Sequence, residues 1–316
     1  MIGSGNDAAA PIILLGPQTD FAEIGDVLDE LQIDGTVALI TTGWQENESE
    51  DEALVEQLRR PALNLALHAR SERVYAEEPA YANARAARQA RLQHLQSFYR
   101  MRLEAIDEAA RAIGVRHVEA EFLLEQQAIT VDQMRHLDDD HLRRCQAERE
   151  TFDQQWPAAE QASVARERAA VAEHMDHCAA TVIAGGHVTA LLNRLRLFDV
   201  FANVGSKPIV AWSAGAMSLS DRIVLFHDSP PHGKNLAQLL DDGLGLVHDV
   251  VVMPDPRRRV RIDQPQGIAR FTQRMAPAQC LGLDNGARLD FRHGRLVQAS
   301  ADRLQPDGTM QRGWRL

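Results

Sequence analysis

Four short, unbroken apolar runs constrain this chain more than anything else in it. Pro11 to Gly16 reads PIILLG, Thr36 to Thr41 reads TVALIT, and Thr181 to Ala184 and Pro208 to Trp212 are of the same type. Runs this short, with no polar alternation, mark strands covered on both faces, as in a parallel sheet flanked by helices. Leu63 to Leu67 is a candidate further strand. After the first run, Asp20 to Leu31 sets Phe21, Ile24, Val27, Leu28 and Leu31 on one helical face. The alternation predicts an α/β fold, a three-layer sandwich with a mostly parallel sheet.

The stretch from residue 76 to 177 is different in kind, rich in Ala, Arg, Glu and Gln and almost free of glycine. Leu92, Leu95, Tyr99, Leu103, Ile106, Ala110 and Ile113 recur at steps of three and four, which is one stripe of a long helix stopped by Gly114. Thr130 is a candidate N-cap for a helix carrying Val131, Met134, Leu137 and Leu142. Pro157 opens a last helical segment towards His177. The predicted organisation is therefore an α/β domain built from 1–75 and 178–316, with 76–177 as a large helical insertion. The apolar stripe can pair within the insertion or across a homodimer.

Near the C-terminus, Asp284-Asn285-Gly286 separates Cys280–Leu283 from Ala287–Phe291, and His293-Gly294 precedes Leu296-Val297. Both read as tight turns closing antiparallel hairpins. Three widely spaced cysteines, Cys145, Cys178 and Cys280, do not make a disulfide framework and fit a reducing cytoplasm. A net charge of −11 argues against nucleic acid or an anionic membrane as the main partner. No apolar run approaches the length of a membrane span, and Met1 to Ala10 lacks the pattern of a signal peptide.

Chemistry concentrates where the fourth run ends, at Ala211-Trp212-Ser213-Ala214-Gly215-Ala216. A nucleophile among small residues, between a buried strand and a helix, is the pattern of a nucleophile elbow, although Ala211 stands where the strict G-x-S-x-G motif has glycine. The other reading of Ser213 is a plain N-cap opening the next helix. Upstream, Ala184-Gly185-Gly186-His187 joins another strand to another helix.

Together these segments resemble the dipeptidase E and cyanophycinase serine peptidases, over the first 75 and last 140 residues or so. Their strand–Gly-Gly-Asn–helix segment matches Gly185-Gly186-His187, their Trp-Ser-Ala-Gly-Ala elbow matches Trp212 to Ala216, and the spacing to Asp228 matches without a gap. The resemblance implies a topology like the class I glutamine amidotransferases, with serine replacing their cysteine. It implies Ser213 as nucleophile, Gly185 and Ala214 amides as the oxyanion hole, and Asp228 as the carboxylate orienting a histidine. It further implies acyl transfer on small peptides, acidic Asp-containing ones among them, with no cofactor.

One departure stands out. The family's histidine follows a proline at the end of a later strand, and here Pro254 is followed by Asp255. His187 is the first candidate for a substitute base, while His227, His232 and His248 lie in the same C-terminal region. The alternative is a catalytically impaired member that binds a ligand or protein. Arg257, Arg258, Arg259 and Arg261 follow Asp255 and could hold an acidic substrate, or form a solvated basic loop. Glu173, His174 and His177 cluster without a second ligand group, so they read as a helix end and not as a metal site.

Overall fold

The computed structural model describes residues 10–19, 22–203, 207–226, 236–259 and 264–316. Asp20 and Phe21 of the first helical pattern lie outside the described residues, as do His227, Asp228, His232 and Arg261. The side chains of Arg258 and Arg259 are likewise not described.

The chain opens with β1 (Ile12–Leu15), α1 (Ile24–Glu30), β2 (Val37–Ile40), α2 (Glu52–Leu58) and β3 (Ala62–Asn64). Four helices follow before and within the middle stretch: α3 (Leu67–Glu77), α4 (Pro79–Gly114), α5 (Ala120–Gln155) and α6 (Ala162–Asp176). Then come β4 (Ala180–Ile183), α7 (Val188–Leu197), β5 (Ile209–Trp212), α8 (Ala214–Leu219), β6 (Arg222–Leu225), β7 (Gln238–Asp242) and β8 (Val250–Pro254). The described chain ends with α9 (Pro256–Arg259), α10 (Pro265–Met275), β9 (Gln279–Leu283), β10 (Arg288–Arg292), β11 (Arg295–Leu304) and β12 (Met310–Arg315).

The four apolar runs are the centre of one sheet. Its order is β3-β2-β4-β5-β1-β10-β11-β9-β8, with β12 on β11, and the segment from β3 to β1 is wholly parallel. Alternate residues of these strands enter opposite cores. Ile13, Leu15, Val37, Leu39 and Val182 meet Ile24, Val27 and Leu28 of α1 and Leu54 and Leu58 of α2. Leu14, Ala38, Ile40, Ile183 and Ala211 meet Leu191, Leu192 and Leu195 of α7 on the other face. Each run is apolar throughout because both of its faces are covered, and the three layers follow directly.

The middle helices join this second core. Tyr81, Phe152, Val164, Val171 and Met175 share it with the sheet residues. Farther along, Tyr99, Leu103, Met134 and Leu142 form a third cluster with Val251, Cys280, Ile268 and Met275. Gly114 does end α4, but Thr130 is not a cap. It lies inside α5, where its hydroxyl donates to Gln126 O at 2.8 Å, so that helix begins ten residues earlier, at Ala120. Pro157 precedes a 3-10 turn over Ala158–Glu160, and α6 starts only at Ala162.

The Asp284-Asn285-Gly286 turn exists, with Ala287 N donating to Asp284 O at 2.9 Å, but it closes no hairpin. β10 leaves it to pair antiparallel with β1, Leu289 opposite Leu14, while β9 pairs parallel with β8. Both then bond to successive stretches of the long β11. The open edge of β1 and the partners β8 and β11 take the hydrogen bonds that a β9–β10 hairpin would have used. His293-Gly294 does close the β10–β11 hairpin, with both φ angles positive, at 50° and 71°.

Candidate active site at Ser213

Parallel strands put their carboxyl ends on one edge of a sheet, and there the chain must turn into helices. β4 ends into Gly185-Gly186 and β5 into Ser213. Ser213 has φ 50° and ψ −121°, a backbone that L-residues rarely adopt, and its side chain makes no capping bond to α8. A serine N-cap would be extended and would accept a bond from the second or third amide of the helix. Ser213 does neither, and its hydroxyl has no hydrogen-bond partner among the described residues. The plain N-cap reading fails on this geometry.

The small residues around it are required by contact. A Cβ on Gly185 would stand 2.8 Å from Ser213 Cβ and 3.4 Å from its Oγ. One on Gly215 would meet Ile183 O at 2.6 Å. Gly186, at φ 116°, packs on Gly43, and His187 N donates to Gly43 O at 2.7 Å. Gly43 is thus part of the scaffold behind the glycine pair, a role that only its placement after β2 could have suggested. The amide of Ala214, at the first position of α8, has no acceptor within the helix. The Gly185 backbone packs against the serine side chain, and Ala214 lines the space above Oγ together with Ser213.

That space is a cavity of about 280 Å³. Gly186, Val188, Ser213, Met217, Phe226 and Pro254 contribute to its lining, and among the described residues no cation does. Leu225 and Phe226 bring the end of β6 to this cavity.

Pro254 also places Asp255, which follows it at φ 49° and donates its amide to Leu283 O at 3.0 Å. Asp255 therefore stands at the carboxyl end of β8, beside the cavity wall. Its neighbour Asp284 is pushed above the usual carboxylate range, chiefly by burial, against the lowering effect of Arg257. Arg257 ion-pairs with Asp284, just past β9, at 3.2 Å and with Asp302 of β11 at 3.0 Å, so its charge is already matched there.

Among the described residues no hydrogen bond joins His187 to Ser213. His187 caps α7, its Nδ1 accepting from Ala190 N at 3.2 Å, and the ring is exposed. A neutral ring held this way carries its proton on Nε2 and has no free lone pair to offer the serine. His248 pairs with Asp221 at 2.8 Å, a surface contact. His174 meets Arg70 Nη2 at 3.0 Å and His177 meets Glu173 O at 2.7 Å, each within or beside α6. Among the described residues no group of three or more candidate metal ligands assembles. All three cysteines are buried, and burial pushes the thiols of Cys145 and Cys280 up to about 12 and that of Cys178 above its ordinary value, the environment of inert, structural thiols. No described helix is long and apolar enough to cross a membrane.

No known family profile matches the chain. No curated protein matches it in sequence. Among solved structures it is similar to a peptidase from an acI-B1 Actinobacterium, at 12% identity over 98% of this chain and 97% of that one, with a TM-score of 0.43. It is also similar to a candidate peptidase E protein from Listeria monocytogenes EGD-e, at 13% identity over 94% and 100% of the two chains, with a TM-score of 0.44. Likenesses this distant say nothing of chemistry.

Proposed function

We propose that the protein is a serine hydrolase of the dipeptidase E type, acting through an acyl-enzyme on Ser213. The observation that carries this reading is the strained backbone of Ser213, with a hydroxyl that serves no cap and faces a cavity. Strain of this kind costs about 1–3 kcal/mol and persists only where the surrounding fold imposes it. In the proposed reaction Oγ attacks an acyl carbonyl, and the Gly185 and Ala214 amides receive the developing oxyanion. The base that takes the Oγ proton then returns it to the leaving group, and water releases the acyl chain. Asp228 is assigned as the orienting carboxylate on its spacing from Ser213 alone.

Small peptides, acidic ones among them, are the substrate class that the sequence resemblance implies, and apart from Ser213 the side chains described around the cavity are apolar.

A second reading, a non-catalytic binding protein, is favoured by two placements: Asp255 at the end of β8 and His187 spent on its helix cap. Turnover of short-chain p-nitrophenyl esters against pH separates the two. The hydrolase reading expects activity lost in Ser213→Ala, with an acidic limb near the imidazole range of about 6.5. Activity that survives every histidine substitution but is lost in Asp255→Asn would instead make Asp255 the base. Identical rates for wild type and Ser213→Ala would leave only the binding reading.

A further inference from the structure

At the far end of α7 from His187, ten residues and about 15 Å along the helix, lies a second cavity of about 360 Å³. In a chain of net charge −11 it is lined by five arginines, Arg85, Arg88, Arg149, Arg168 and Arg196, against the single carboxylate of Asp153. Two of these cations are neutralised by the fold. Arg149 bonds Asp241 and Asp242, and Arg196 bonds Asp241 at 3.0 Å and the Asp242 carbonyl at 2.7 Å. Arg168 gives its Nε to Leu197 O at 2.8 Å, satisfying the end of α7.

Arg88 has no such employment. It is only 8% exposed, its Nε is buried with no hydrogen-bond partner, and its guanidinium lies over the Phe152 ring at 4.5 Å. Burial, with Arg85 alongside, lowers its pKa to about 10. An unpaired guanidinium in a protein interior is costly unless an anion completes it. Arg85, beside it, is held over the rings of Tyr75 and Tyr81. Arg85, Arg88 and Arg168 against Asp153 leave two positive charges in excess, and guanidinium forks match phosphate oxygens in geometry.

We propose that this cavity, between α4, α5, α6 and α7, binds a phosphate dianion, most naturally the phosphate group of a small monoester whose body the remaining volume and Tyr81 accommodate. The site stands apart from Ser213 and does not depend on the hydrolase reading.

The test is thermal unfolding of the full chain with inorganic phosphate, against chloride at matched ionic strength. A saturable rise of about 2–4 °C is expected once phosphate exceeds its Kd roughly tenfold. Arg88→Met, which keeps the apolar stem over Phe152, should abolish that rise without lowering the melting temperature in chloride. Arg85→Gln should weaken the response at least tenfold in apparent Kd, and it gives the same reading should Arg88→Met fail to fold. No saturable rise in the wild type, or an equal rise in Arg88→Met, overturns the site. Equal stabilisation by succinate overturns its assignment to phosphate.

Discussion

Glycine at position 185 is dictated by a contact made 28 positions along the chain, since any Cβ there would sit 2.8 Å from that of Ser213. Gly185→Ala must displace either the serine or the strand end that carries the adjacent amide. Misplacement of this order at a reacting centre costs about 10²-fold, so ester turnover in Gly185→Ala should fall by about two orders of magnitude with the fold intact by circular dichroism. Unchanged turnover would separate Gly185 from the chemistry. The strained strand-to-helix turn at Ser213 was legible in the sequence because it needs small neighbours, which leave a recognisable string. The other residues of the site were less legible. His187 looked like a base because it follows a glycine pair, but the same position is the N-cap of α7, and the cap claims its free nitrogen. Gly43 and the apolar wall of Val188, Met217 and Phe226 come from separate segments that nothing local connects.

Between elements, buried ion pairs join what apolar contact leaves loose. Arg70 of α3 bonds Glu167 of α6 at 2.7 Å, and Arg73 adds a second bond at 3.1 Å. Burial pushes Glu167 up, but the bonds from Arg73 and Arg70 outweigh it and hold its pKa below the ordinary 4.5. A carboxylate depressed in the folded state contributes stability above its unfolded pKa, which is lost as pH falls through the folded value. Glu167→Gln should therefore lower the urea midpoint at neutral pH, and the gap to wild type should close as pH falls from about 5 towards 3. A gap constant across that range would show that the ion pair contributes nothing. At this scale the sequence revealed strands well, because burial on both faces leaves unbroken apolar runs. It misplaced the start of α5, because Thr130 bonds back to the preceding turn as readily as it would cap. It also made Asp284-Asn285-Gly286 a hairpin, since turn chemistry reports the reversal and not which strands then pair.

Across the whole molecule, the middle helices are fastened to the C-terminal strands by a buried polar centre. Arg274 of α10 grips Asp138 of α5 with bonds of 2.6 and 2.7 Å, and donates to Tyr99 of α4 at 2.7 Å. Tyr99 in turn accepts from Leu239 N of β7 at 3.0 Å. Both charged side chains are 2% exposed, so removing one strands the other. Asp138→Ala should cost about 3–5 kcal/mol in chemical denaturation; a loss below about 1 kcal/mol would mean that water replaces the pair. Only Tyr99 was placed in advance, on the apolar stripe of α4; Asp138 and Arg274 are far from it in the chain and each alone looks like a solvated helix face. The α/β class and three-layer order were readable, since the spacing of apolar runs reports how many faces each strand buries.

The central claim, that Ser213 is an activated nucleophile, is met most directly by labelling the folded protein with a fluorophosphonate probe and reading the intact mass. An activated Ser213 gives one adduct per chain at neutral to mildly alkaline pH, absent in Ser213→Ala. No adduct across that range, or one that persists in Ser213→Ala, would contradict it.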